Sequence, residues 1–185
     1  MEANGQAQRI VAFPSKLGWF ALRITGRTLT ALTFGRRTKN AAIVALKIDG
    51  VQPATPNRFE SELIERFESY SAGHEDNFWD VTIDTSNLTP FAERVVHHCR
   101  RIDFGETLSY GEMAAKAGSP GAARAVGNIM AKNRFPLVVP CHRVVGSGKS
   151  LGGYSAPDGL KMKRRLLAME GSLDTARPQA LCSPS

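Results

Sequence analysis

The stretch Pro136-Leu137-Val138-Val139-Pro140-Cys141-His142-Arg143-Val144 decides how this chain is read. Branched residues suit an extended backbone, and Val139, ahead of Pro140, is pushed out of the α region. The apolar run therefore predicts a short buried strand with Cys141 at its end. A thiol held there, beside His142 and Arg143, has cationic neighbours that lower its pKa and enlarge the thiolate fraction. That is a nucleophile's setting, although an ordinary buried thiol next to a polar loop fits the same pentapeptide.

Upstream, Ser86-Asn87-Leu88-Thr89-Pro90 marks a boundary between two halves. Thr89 caps a helix with Pro90 at its first position, and Phe91, Val95, Cys99 and Ile102 form its buried stripe. After the Phe104-Gly105-Glu106 turn, Ser109-Tyr110-Gly111-Glu112 reads as a capping box, and a short helix runs to Ala117 and stops at Gly118. Ser119 and Pro120 open the next helix, which continues to about Lys132. Two short helices joined by a tight glycine turn make a helix-turn-helix. Its second helix carries Ala122, Ala123, Ala125 and Gly127, with Arg124 the one long cation. Such a small face allows another backbone to approach closely, which serves DNA binding and helix packing alike. With few side chains able to read base edges, DNA binding by this helix would be sequence-tolerant.

Downstream, Val144 to Ser155 is rich in glycine but lacks the GxxxxGK[ST] spacing, so nucleotide hydrolysis is rejected and a pocket-forming loop is expected. Asp158 opens a last helix in which Met162, Leu166 and Met169 face inward. Lys161, Lys163, Arg164 and Arg165 form its basic outer face, and Glu170 ends it at Gly171. Residues 172–185 read as a disordered tail. In the first half, residues 1–10 look like a disordered lead-in. Phe20, Leu22 and Ile24, a Gly26-Arg27 turn and Leu29 to Phe34 make a hairpin. Ala41 to Lys47 fits a strand or a short helix equally. Thr55-Pro56 starts a helix carrying Phe59, Leu63, Phe67 and Tyr70, and Trp79, Val81 and Ile83 alternate as a third strand. These aromatics are core, with no catalytic chemistry on their face.

The 185 residues suffice for one domain or two small ones without staples. Three widely spaced cysteines, Cys99, Cys141 and Cys182, imply free thiols and a reducing compartment. The adjacent His97, His98 and Cys99 point to different helix faces and form no metal set. No stretch reads as a bilayer span or an export signal, so an intracellular, non-membrane protein is expected. Met1 to Thr85 holds 10 basic and 10 acidic residues, whereas Ser86 to Ser185 holds 14 and 7, so the net charge of +7 lies in the second half. A basic half suits a polyanion partner, or simply a soluble surface.

Together the pieces resemble the O6-alkylguanine-DNA alkyltransferase family, also called methylated-DNA-protein-cysteine methyltransferases. Phe104-Gly105-Glu106-Thr107-Leu108-Ser109-Tyr110, Ala123-Arg124-Ala125-Val126-Gly127, Asn133, Pro140 to Val144, Gly153-Tyr154-Ser155 and Leu166 to Gly171 follow the family's order. The likeness is strong from Thr89 to Gly171 and loose before it. It implies an α+β fold: a ribonuclease-H-like mixed α/β domain (1–85), then a helical DNA-binding domain (86–171) with a winged-helix-like helix-turn-helix. It also implies direct-reversal DNA repair, in which the alkyl group of O6-alkylguanine, and of O4-alkylthymine, passes irreversibly to Cys141 after base flipping.

The same resemblance implies roles by position. His142 would act as the base for Cys141, linked through a water to Glu170, which orients the imidazole; Asn133 would brace the turn before the active-site strand. Arg124 would fill the vacancy left by the extruded base, with Ala123, Ala125, Gly127 and Ser109 against the minor groove of double-stranded DNA. Tyr110 would donate to N3 of the base, Ser155 and Tyr154 would line the O6 side, and the carbonyls of Cys141 and Val144 would hold the exocyclic amine. No cofactor and no metal are expected, and a monomer is. The chain departs from the family in the longer Ala156-Pro157-Asp158-Gly159 link, in Arg134 after the Asn, and in Met169 before Glu170. A lesion sensor would dispense with the Cys-His-Glu set, and a thiol hydrolase would have no use for the basic helical half.

Overall fold

The computed structural model describes residues 7–46, 53–148 and 150–172. Three antiparallel strands, β1 (Gln8–Phe13), β2 (Trp19–Thr25) and β3 (Thr28–Arg36), form a sheet in the order β1-β2-β3. The hairpin lies where the alternation puts it, with Gly26 at φ 61° in its turn. β1 overturns the disordered lead-in for residues 8–10, because Ile10, Val11 and Phe13 are buried against β2; residues 1–6 lie outside the described residues. One sheet face is closed by α1 (Lys39–Ala45), capped by Thr38, whose Ala42 and Leu46 pack on Ile10, Ala21 and Ala31. This settles the open choice over 41–46 as helix; Lys47 lies outside the described residues.

The opposite face is covered by α2 (Arg58–Ser71), where Phe67 stacks on Phe78 and packs at a tilt against Phe20. The helix begins two residues later than Thr55-Pro56 suggested. Asn57 and Glu60 form a capping box there, each side chain satisfying the other's backbone N–H. The third strand is absent. Arg100 Nη2 donates to the carbonyls of Phe78, Trp79 and Val81, groups a strand would offer to a neighbour, and Phe78 has φ 51°. Only Ile83 pairs, as a single bridge to Leu29, and Trp79 is exposed.

The second half opens with α3 (Pro90–Cys99), capped by Thr89 as expected. Next, β4 (Leu108–Ser109) pairs in parallel with β5 (Val144–Val145). α4 (Tyr110–Lys116) carries the Ser109/Glu112 capping box and packs on α5 (Ala123–Ala131). α5 starts at Ala123, not at Ser119, because Ser119 to Ala122 form a turn closed by Ala122 N–H to the Ser119 carbonyl, with Gly121 at φ 89°. Likewise α6 (Leu160–Met169) starts two residues after Asp158, since Asp158 (φ 62°) and Gly159 (φ 50°) are left-handed. One hydrophobic cluster runs through both halves, from Phe13 and Leu63 to Val95, Val139 and Leu166. Apart from Ser172, the tail lies outside the described residues.

Candidate active site

The run Pro136 to Val139 is buried as expected, yet it is a turn and not a strand. Leu137 sits at φ 74°, Val139 N–H returns to the Phe135 carbonyl, and Asn133 Nδ2 takes the Val139 carbonyl at 2.8 Å. Asn133 thus spends its amide closing the turn: its Oδ1 also accepts from Phe135 N–H at 2.9 Å. The same Nδ2 donates to Cys141 Sγ at 3.1 Å. The side chain that shapes the turn therefore also addresses the sulfur.

Cys141, His142 and Arg143 form one turn of 3₁₀ helix, so their side chains point about 120° apart. This corrects the expectation that His142 and Arg143 lower the thiol pKa as adjacent cations. Arg143 is committed elsewhere: its Nε and Nη2 fork onto the two oxygens of Glu170 at 2.9 Å each, and Nη1 donates to the Ile102 carbonyl at 2.7 Å. Burial pushes the Cys141 thiol up, while Asn133 and then Lys163 pull it down. Lys163 was expected on the basic outer face of α6. It is buried instead, and its Nζ donates to the Val144 carbonyl at 2.6 Å and lies 5.8 Å from the Tyr110 ring centre. Burial lowers its pKa to about 8.

His142 is fully buried, and its Nε2 meets Glu170 Oε1 directly at 2.9 Å, so no water separates the two as the resemblance implied. With the proton on Nε2, Nδ1 presents a lone pair, and this atom is buried without a protein partner. Burial depresses the His142 pKa, so the ring is neutral near pH 7. Glu170 is buried too, but donors from His142 and Arg143 outweigh that burial and hold its pKa at about 2. A further donor is Tyr70 of α2, whose hydroxyl donates to Glu170 Oε1 and lies 3.4 Å from His142 Nε2. From the sequence alone Tyr70 is a core residue of α2. Its burial hides the role, because helical spacing gives a core Tyr and a hydroxyl donor the same signal.

Cys141 lines a cavity of about 500 Å³. Tyr110, Tyr154, Ser155 and Gly153 line one side, and Ala123, Arg124, Gly127 and Met130 of α5 the other. Tyr110 is the first residue of α4, and Gly152 lies so close that an added Cβ would stand 2.6 Å from its ring. Arg124 and Ala125 are exposed, and Arg124 has no hydrogen bond or ion pair among the described residues. Ser109 Oγ is occupied by the Glu112 N–H at 3.1 Å. The Cys141 carbonyl accepts from Val144 N–H, and the Val144 carbonyl from Lys163, which leaves each a second lone pair. Cys99 is a free buried thiol, and among the described residues no cluster of three His, Cys, Asp or Glu could hold a metal. No helix among them is long and apolar enough to cross a membrane.

Residues 90–172 match the model of the 6-O-methylguanine DNA methyltransferase, DNA binding domain. The methylated-DNA–protein-cysteine methyltransferase of Mycobacterium bovis is 43% identical over 112 residues, 60% of this chain and 66% of that protein; the one of Methanosarcina acetivorans is 40% identical over 114 residues, 62% and 70%. The chain thus spans a little under two thirds of the mycobacterial sequence. Structural likeness reaches further. The crystal structure of Mycobacterium tuberculosis OGT in complex with DNA has a TM-score of 0.72 at 35% identity, covering 89% of this chain and 93% of that one. O6-methylguanine-DNA methyltransferase from Pyrococcus kodakaraensis gives 0.65 at 25% identity, over 89% and 99%. With a cysteine lining a cavity, a buried His-Glu pair beginning at the next residue and relatives alike over most of their length, the chain belongs to the methylated-DNA–protein-cysteine methyltransferase family.

Proposed function

We propose that this protein repairs DNA by direct reversal: it binds a duplex, swings an O6-alkylguanine into the cavity and takes the alkyl group onto Cys141, once per molecule. The observation that carries the reading is that Cys141 lines one cavity together with the small face of α5 and its free Arg124. On the α5 side Ala123, Gly127 and Ala131 are small and Arg124 is the one cation, so a backbone can come close and the arginine can enter the gap that an extruded base leaves. Flipping costs a few kcal/mol, which Arg124 and the pocket contacts offset. The helix faces the minor groove, and with so few readers of base edges it has little sequence preference.

The chemistry is a displacement at saturated carbon. His142 Nδ1 accepts the thiol proton, directly or through one water, while Glu170 steadies the imidazolium through Nε2. The sulfur lone pair forms the S–C bond as the C–O6 bond breaks, and the electron pair leaves on guanine. Tyr110 is kept protonated by burial, and its hydroxyl donates to N3 as that charge grows. Ser155 and Tyr154 flank O6, the second lone pairs of the Cys141 and Val144 carbonyls hold the exocyclic amine, and Asn133 fixes the sulfur. O4-alkylthymine presents the same bond and is a second substrate. The thioether is inert to water, so the protein is consumed, and the reaction calls on no cofactor.

Residues 1–85 and 86–171 serve as two domains in this reading, the first ribonuclease-H-like and the second winged-helix-like, with β4 and β5 as the wing's base. The protein works as an intracellular monomer, where Cys99 and Cys141 stay reduced. Intact-mass analysis after mixing with a duplex containing O6-methylguanine tests the reading. The wild type gains one methyl group and Cys141→Ala gains none. An unchanged wild-type mass, or equal gains in both, overturns it.

A further inference from the structure

A second groove, about 490 Å³, opens beside the base cavity and shares Ala131, Cys141, Tyr154 and Ser155 with it. Its walls come from both halves of the chain: Arg23 of β2 and Arg36 of β3 on one side, Lys132 and Arg134 just after α5 on the other. Among the described residues no acidic side chain lines it. The fold leaves most of that charge uncompensated. Arg23 and Arg36 donate to the hydroxyls of Thr30 and Thr33, at 3.0 and 3.2 Å, and not to carboxylates. Arg134 has one carboxylate in reach, Asp84 at 3.8 Å, and that oxygen pair also serves Ser86. Lys132 is exposed with no ion pair among the described residues. Burial first, and then the neighbouring Arg134 guanidinium, disfavour the charge on Arg23, and Asp84 offsets part of this.

The balanced charge of the first half conceals this face. Most of its described acids lie elsewhere, as Glu60, Glu62, Glu65 and Glu68 on α2 and as Asp76 and Asp80 around Arg66, and Asp84 alone of them stands beside Arg134. A nucleotide rotated into the base cavity stays tethered to its strand, and the strand must leave along the rim that the two openings share.

We propose that this cationic groove is a track for DNA phosphates, so that Arg23 and Arg36 extend the DNA interface from the helix-turn-helix onto the amino-terminal sheet. The inference rests on the alkyl-transfer reading for its partner but not for its test. Each phosphate neutralised by a protein cation releases condensed counterions, so each lost contact lowers the slope of log affinity against log salt by about 0.9.

The experiment compares wild type with Arg23→Gln/Arg36→Gln, measuring affinity for an O6-methylguanine duplex and for an unmodified one across a NaCl series. Rates with the free base O6-benzylguanine gauge the sulfur and its pocket. The double variant binds both duplexes severalfold more weakly at low salt, with a slope reduced by about 1 to 2, while its free-base rate falls much less than its DNA affinity. A slope equal to wild type overturns the proposal, and so does a free-base rate that falls in step with DNA affinity. Lys132→Gln, at an exposed position, repeats the slope test should the double variant fold poorly. Failure of the methyl transfer itself would show as an unchanged wild-type mass, and the slope on unmodified duplex would still judge the groove.

Discussion

At Cys141 two opposed effects meet on one sulfur. Burial favours the neutral thiol, whereas the Asn133 amide and the Lys163 ammonium favour the thiolate. Lys163→Met removes the nearby positive charge while keeping the length of the side chain. The thiol pKa should rise, which lowers the thiolate fraction and slows the reaction near pH 7 severalfold. The pH profile of alkylation by iodoacetamide reads this; an unshifted profile would show that Lys163 serves only the Val144 carbonyl. Because the folded pKa of Lys163 is about 8 against 10.5 in a free lysine, its support for the thiolate fades above about pH 8.

Glu170 sets the acid side. Its folded pKa of about 2 lies below the ordinary 4.5, so folding favours the carboxylate. That contribution is fully present above pH 4.5 and is lost as pH falls through 2. It amounts to about 3 kcal/mol at most for a shift of this size. His142, with its pKa depressed by burial, acts in the same direction below the pH where a free histidine protonates. Urea unfolding as a function of pH should show stability falling steadily on acidification. In Glu170→Gln the slope between pH 4.5 and 2 should flatten, on a protein already destabilised by about 3 to 5 kcal/mol because Arg143 is left buried and unpaired.

Among the elements, the loop between β5 and α6 is the most exacting. Gly152 has φ 67°, and a Cβ there would stand 2.6 Å from the Tyr110 ring and 2.8 Å from its hydroxyl. Gly152→Ala therefore either displaces Tyr110 or opens the loop, and in the proposed mechanism both spoil the donor to the extruded base. Transfer from a methylated duplex should slow by about 100-fold, the scale of losing one oriented donor, with a small change in melting temperature. A near-normal rate would mean that Tyr110 tolerates displacement. The motifs that placed α3 and α4, Thr89-Pro90 and Ser109 to Glu112, act within one turn of chain and were legible for that reason. The starts of α5 and α6 were misplaced because left-handed Gly121, Asp158 and Gly159 interrupt patterns that read as continuous helix.

Across the whole molecule, the site is a joint product of both halves. Tyr70 reaches Glu170 from α2, and Leu32 N–H of β3 bonds the Arg134 carbonyl at 2.8 Å. One hydrophobic cluster joins them. Unfolding should therefore be a single transition: fluorescence of Trp19 and Trp79, both in the first half, should change together with exposure of Cys141 in the second. Separate midpoints would contradict this. Tyr70→Phe removes only a hydroxyl, yet should cost about 1 to 3 kcal/mol and slow methyl transfer severalfold by loosening Glu170. The rate should recover little at low temperature if positioning, and not stability alone, is at stake; full recovery would assign Tyr70 to packing.

By itself the sequence determined the family, the helix-turn-helix with its small face, the hairpin and the residues gathered at the cavity. Each of these is carried by spacing within a short stretch or by a motif a few residues long. Only the tertiary structure decided that Pro136 to Val139 is a turn closed by Asn133, that Arg100 takes the carbonyls of a would-be strand, and that Lys163 and Tyr70 face the site. Those outcomes depend on which distant group wins a particular carbonyl or carboxylate. A side chain's partner across 19 or 100 residues leaves no local periodicity to read, and burial gives a structural lysine or tyrosine the same place in the pattern as its neighbours on the helix.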